Sequence, residues 1–211
     1  NIKIKEEDVL LLREIAKDTW KYYRDFANEK NNFLPPDNFQ EYPYNGVANR
    51  TSPTNIGFYL ISILSSRDLG FITTKEMVDL IDLCIKSIEK MEKWEGHLYN
   101  WYNTETLKPL RPIFVSTVDS GNFLAYLIVV KEGLKEYEKE SIPGDKIKDL
   151  IKKIEELIDN TKFKPLYDEK RDLFYIGYNV EEGMVLNSYY DLLASESRTT
   201  SYITISRGEV P

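Results

Sequence analysis

Four carboxylates, Glu41, Asp119, Asp191 and Glu196, stand in stretches where sugar chemistry could use them. Two carboxyls flanking a glycosidic bond suffice to cleave it: one protonates the leaving oxygen, the other serves as nucleophile or base. Glu196 sits in LLASESR, inside a mostly apolar run, where a carboxyl keeps its proton longer, as a general acid must. The alternative for Glu196 is a buried carboxylate paired with Arg198. Asp119 belongs to STVDSGN, five polar groups in seven positions directly before the apolar run Phe123 to Val130. A helix start needs one cap there, so Asp119 is either that cap or part of a surplus with another use. His97 is the single histidine, which excludes multi-histidine metal sites and disfavours a catalytic triad. No glycine-rich phosphate loop occurs, and no cofactor is expected.

Six helical segments must position these groups. Val9, Leu12, Ile15, Ala16, Thr19, Trp20, Tyr23 and Phe26 share one face; so do Met77 to Met91 in the third segment and Ile147 to Ile158 in the fifth. The second (from Ile56), the fourth (Phe123 to Val130) and the sixth (roughly Ser188 to Ser206) are apolar on nearly all sides, hence packed on all sides. Odd helices outside and even helices inside make a double-layered α/α arrangement of helical hairpins. TSPTNIGF at 51 and STVDSGNF at 116 form a weak repeat 65 positions apart, with NSYYD at 187 a third copy. In a toroid of hairpins these polar starts line one mouth. Two long loops, 31–50 and 95–115, enter it with Tyr42, Tyr44, Trp101 and Tyr102, whose rings either face a sugar or plug the end of the bundle.

The 211 residues suggest one domain or somewhat more. Net charge is −7 with no basic block, so nucleic acid and anionic membranes are poor partners. Cys84 alone permits no internal disulfide and reads as a small buried hydrophobe. No run is long and apolar enough to span a bilayer. The start at Asn1 suggests a processed protein or an excised piece. Three hairpins do not close a ring, so residues 1–211 are expected to be a single partial domain, the N-terminal half of a toroidal module truncated after the sixth helix. Its uncovered inner helices would favour self-association.

LPPDNFQE, VANRTSPTNIGFYL, GHLYNWYNTETLKPL, STVDSGNFLAYLI and NSYYDLLASESR, in this order from about residue 33 onward, resemble landmarks of cyclic β-1,2-glucan synthases, in their glucoamylase-like module. The resemblance implies an all-α (α/α)6 barrel, here about half of one. It also implies a glycoside-hydrolase-type reaction that cleaves linear β-1,2-glucan and rejoins it into a ring with retention. Glu196 is implied as acid/base. Asp119, Ser120, Asn122, Trp101 and Tyr102 are implied to line sugar subsites, with Glu41 and Arg198 also binding substrate. Partners would be β-1,2-linked glucose chains and the other modules of a longer protein. The module itself would be soluble and cytoplasmic, in a parent anchored in the bacterial inner membrane. The isolated chain would lack activity if the second carboxylate lies elsewhere. The competing reading is a non-catalytic scaffold that binds a partner through its inner helices.

Overall fold

A computed structural model describes residues 5–140, 145–190 and 196–211. Six α-helices lie among them: α1 (Glu6–Phe26), α2 (Pro53–Asp68), α3 (Thr74–Lys90), α4 (Thr117–Glu136), α5 (Lys146–Asn160) and α6 (Ser197–Ser206). Local chemistry starts three of them, α2, α3 and α4. Ser52 and Ser116 cap α2 and α4, each accepting from the backbone N–H three residues on at 3.2 Å. Pro53 occupies the first helical turn of α2, and Thr73 with Glu76 forms a reciprocal capping box on α3.

The layering follows the hydrophobic pattern. α4 packs against α2 on one side and α6 on the other, with α1, α3 and α5 outside them. Of the outer helices, α3 buries the stripe Met77, Ile81, Cys84 and Ile88 and α5 the stripe Ile147, Leu150, Ile154 and Ile158, whereas α1 buries only Trp20 and leaves Val9, Leu12 and Ile15 of its expected stripe more than half exposed. Close helix approach is built in by glycine. A Cβ on Gly121 would stand 1.9 Å from Thr200 Oγ1 of α6, and one on Gly57 2.0 Å from the Tyr126 ring of α4. Cys84 is fully buried, and burial pushes its thiol far up. No described helix is long and apolar enough to cross a membrane.

Two expectations need correction. The sixth helix does not run from Ser188: its described part begins at Ser197, while Tyr189 pairs as an isolated bridge with Tyr175. Its sequence mixes apolar residues with Tyr, Ser and Thr, which suit strand pairing as well as helix. The stretches taken for loops are substantially β-structure. Strands β1 (Phe39–Gln40) and β2 (Gly46–Val47) form a small hairpin. β3 (Arg50–Thr51), β4 (Asn100–Asn103), β5 (Pro109–Ser116), β8 (Gly177–Asn179) and β9 (Met184–Val185) make an antiparallel sheet in that spatial order. β6 (Tyr167–Asp168) and β7 (Leu173–Phe174) form a further hairpin. The aromatic residues that suggested binding loops are also good strand formers.

The sheet explains the repeat. β3 runs into the Ser52 cap of α2, and β5 ends at Ser116, the cap of α4. Both units are strand, serine cap and buried helix. The caps lie 64 positions apart, as do Gly57 and Gly121, so the structural register of the repeat is 64 rather than 65.

His97 is a structural residue. It is 1% exposed, and its Nε2 donates to the Lys162 carbonyl at 2.8 Å, tying the segment before β4 to the chain after α5. Burial pushes its pKa down to about 4, against smaller raising effects from that carbonyl and the Glu209 charge. The unfolded chain therefore binds a proton near pH 6.5 that the folded chain refuses until about pH 4. Stability is complete above the unfolded value and falls as pH drops between the two, by about 3 kcal/mol at the lower end. Denaturant titrations from pH 7 to 4 should show this loss in the parent sequence and its absence in His97→Gln. An equal slope in both would assign the loss to other groups.

Candidate functional site

The first turns of α2 and α4 meet directly. Thr54 Oγ1 donates to Asp119 Oδ1 at 2.6 Å, joining residues 65 positions apart. Asp119 does not cap with its side chain: Ser116 does that, which leaves the Asp119 carboxylate for the Thr54 hydroxyl and for whatever approaches from outside. The polar residues in excess of capping therefore converge, as the sequence suggested, where two inner helices begin beside the sheet.

Around this pair lies a second network. Asp37, which precedes β1, accepts from Arg50 Nε and Nη2 through Oδ2 at 3.2 and 3.0 Å, and from Asn55 Nδ2 through Oδ1 at 3.1 Å. The Arg50 guanidinium in turn sits 5.1 Å from the Trp101 ring centroid. Burial raises the Tyr190 phenol, the Ser116 hydroxyl pulls it partly back, and the negative charges of Asp119 and Glu196 raise it further.

The candidate residues divide. Asp119 and Trp101 are half-buried within these networks, and Asn122 is half-buried three residues along α4, on the same side of the helix as Asp119. Glu196 is exposed at the N-cap of α6 with no side-chain capping bond, so the greasy helical setting expected for it is not observed. Tyr102 is a correction: it is fully buried, its hydroxyl donating to the Glu92 carbonyl and accepting from the Tyr99 N–H, so its ring is packing. Strand alternation accounts for this, since neighbouring residues of β4 point to opposite faces. Ser120 is corrected likewise: at 3% exposed it faces the interior, its hydroxyl without a hydrogen-bond partner among the described residues. Glu41 lies exposed in the turn of the β1–β2 hairpin. Arg198 is exposed on α6 and lines a groove with Ala125, Val129 and Tyr202. Asp191 falls outside the described residues.

Asp37, Arg50, Asn55 and Tyr190 escaped sequence reasoning. Asp37, Arg50 and Asn55 lie within LPPDNFQE and VANRTSPTNIGFYL, where Asp37 follows two prolines and Asn55 belongs to a polar helix start that capping explains only in part. Among the described residues no cluster of three or more His, Cys, Asp or Glu could hold a metal. The two networks together present two carboxylates, a guanidinium, a hydroxyl and an indole, a donor and acceptor set that suits a neutral polyhydroxyl ligand.

Comparison with known proteins agrees in fold and sequence. Over 134 residues the chain is 46% identical to the cyclic β-(1,2)-glucan synthase NdvB of Rhizobium meliloti strain 1021, a match covering 64% of this chain and 5% of the synthase. The fold resembles a β-1,2-glucanase from Parabacteroides distasonis, with TM-score 0.78, 19% identity, and 96% of this chain against 28% of that one. It also resembles the endo-β-1,2-glucanase of Talaromyces funiculosus in complex with sophorose, with TM-score 0.68, 12% identity, and 99% of this chain against 50% of that one. The chain thus spans a small part of the synthase and half or less of these glucanases. Both solved structures share its helix-rich fold. Residues 14–148, more than half of the chain, match the family described as Protein of unknown function (DUF3131), and the chain belongs to that family.

Proposed function

We propose that this chain is part of a carbohydrate-acting module that takes linear β-1,2-glucan at the basin where α2, α4 and α6 begin. In the longer protein the module cleaves that glucan and rejoins it to its own end. Glu196 protonates the glycosidic oxygen as the bond breaks, and a second carboxylate holds the freed anomeric carbon. Glu196 then takes the proton from the 2-hydroxyl of the chain's non-reducing end as the new bond closes the ring. The anomeric configuration is retained through two inversions. The observation that carries the reading is the Thr54–Asp119 hydrogen bond. It brings the starts of two inner helices into one polar site, in a chain 46% identical to a cyclic glucan synthase segment.

Residues 1–211 are then one unit, about half of an (α/α)6 barrel, and the isolated chain binds glucan without turning it over. Calorimetric titration should give millimolar or tighter binding of linear β-1,2-gluco-oligosaccharides, with weaker binding of β-1,3-linked chains of equal length. Heat that does not distinguish the linkages, or none at all, would count against the proposal.

The inner face gives a second expectation. Phe58 of α2, Val129 of α4, and Tyr202 and Ile205 of α6 are 50%, 50%, 76% and 54% exposed. In longer relatives further helices would cover this face. Alone, the chain should self-associate through it, and Val129→Glu should shift sedimentation toward monomer. A parent sequence that stays monomeric at high concentration would argue that this face needs no cover.

A further inference from the structure

We propose that Arg50 is a sugar-recognition residue at the basin and that Asp37 is its positioning residue, a refinement that rests on the glucan reading above. An exposed Arg–Asp pair is ordinarily worth little. Here the pair is not alone. The guanidinium lies over the Trp101 ring, and Asp37 is anchored by Asn55 in the first turn of α2. The segment before β1, strand β3, strand β4 and α2 are thereby fixed around one cation.

The Asp37 side chain is only 18% exposed, whereas that of Arg50 is 51% exposed. The carboxylate is the support and the guanidinium the presented group. Arg50 commits its Nε and one Nη2 hydrogen to Asp37, which leaves three of its five N–H donors unassigned to that partner. A planar fork with free donors suits two neighbouring oxygens. In a β-1,2-linked glucose chain the 2-hydroxyl is consumed by linkage, and the vicinal 3- and 4-hydroxyls stay free along the chain. The half-buried Trp101 beside the guanidinium supplies apolar surface for the sugar's C–H groups. Asn55 directly follows Thr54, whose hydroxyl holds Asp119, so this shelf adjoins the proposed reaction site.

The test titrates the 211-residue protein and three variants with a linear β-1,2-gluco-oligosaccharide, following heat and tryptophan fluorescence, with a β-1,3-linked chain as control. Arg50→Gln should raise Kd about tenfold or more. Arg50→Lys should raise it several-fold, because an ammonium keeps the charge without the fork. Asp37→Asn should fall between, with its thermal midpoint close to that of the parent. Should Arg50→Gln fail to fold, Arg50→Lys decides: parent-like affinity there overturns the assignment. Variants that bind like the parent, while the parent still prefers β-1,2 linkages, would overturn the role of Arg50 and leave the glucan reading standing. A parent chain that binds neither sugar would overturn both.

Discussion

Glu196→Gln in the longer synthase-like protein should lower ring formation from linear β-1,2-glucan by about 10³-fold, the usual scale for losing a positioned proton donor. Glutamine keeps the shape of the side chain and removes the proton. Glu196 is exposed and makes no capping bond, so the substitution should leave stability within about 0.5 kcal/mol. Loss of turnover with folding intact therefore reads out chemistry. Binding of the linear glucan should survive, since the basin's anchoring groups on α2, α4 and the sheet are untouched. Product analysis showing rings formed at near-parental rates would remove Glu196 from the mechanism. A matching loss of glucan affinity would recast it as a binding residue.

Gly121→Ala should cost about 2–3 kcal/mol, within the range for overpacking a tight contact. The added Cβ would stand 1.9 Å from Thr200 Oγ1 and 2.9 Å from Thr200 Cα. The Thr200 hydroxyl could rotate, but its backbone cannot retreat without moving α6. Thr200 Oγ1 also donates to the Thr117 carbonyl at 3.2 Å, a bond across the α4–α6 crossing that the methyl would break. For a chain of this length the thermal midpoint should fall by about 5–10 °C. Because α6 begins directly after Glu196, the same variant should impair ring formation in the longer protein more than its stability loss alone explains. A midpoint within 2 °C of the parent would mean that α6 is loosely held and that its start does not fix Glu196.

The buried faces of α3 and α5 were legible because an amphipathic stripe of period 3.6 marks one, and Met77, Ile81, Cys84 and Ile88 are buried as their spacing requires; α1 carries the same pattern, yet Val9, Leu12 and Ile15 stay exposed. The polar starts of α2 and α4 were legible for a local reason too, although Ser116 rather than Asp119 is the cap of α4. The sheet was not. β3, β4, β5, β8 and β9 are short or irregular and drawn from distant stretches, so their pairing depends on contacts that no single window contains. That gap misplaced Tyr102: without a strand, nothing distinguished it from Trp101 next door. Ser120 failed for a related reason, since a polar run at a helix start turns about 100° per residue and sends some members inward. Asp119 and Trp101 were legible as polar or aromatic surplus. Asp37 and Arg50 were not, because their meaning lies in each other and in Asn55, eighteen positions from Asp37.

The claim beneath these expectations is that the starts of α2, α4 and α6 share one basin shaped for a β-1,2-linked glucose chain. A crystal of the protein soaked with a linear β-1,2-gluco-oligosaccharide tests it most directly. The sugar should lie against Trp101, with hydroxyls in hydrogen-bonding reach of Asp119 and Arg50 and a glycosidic oxygen facing Glu196. Sugar bound on another face, or a basin left empty at saturating ligand, would contradict it.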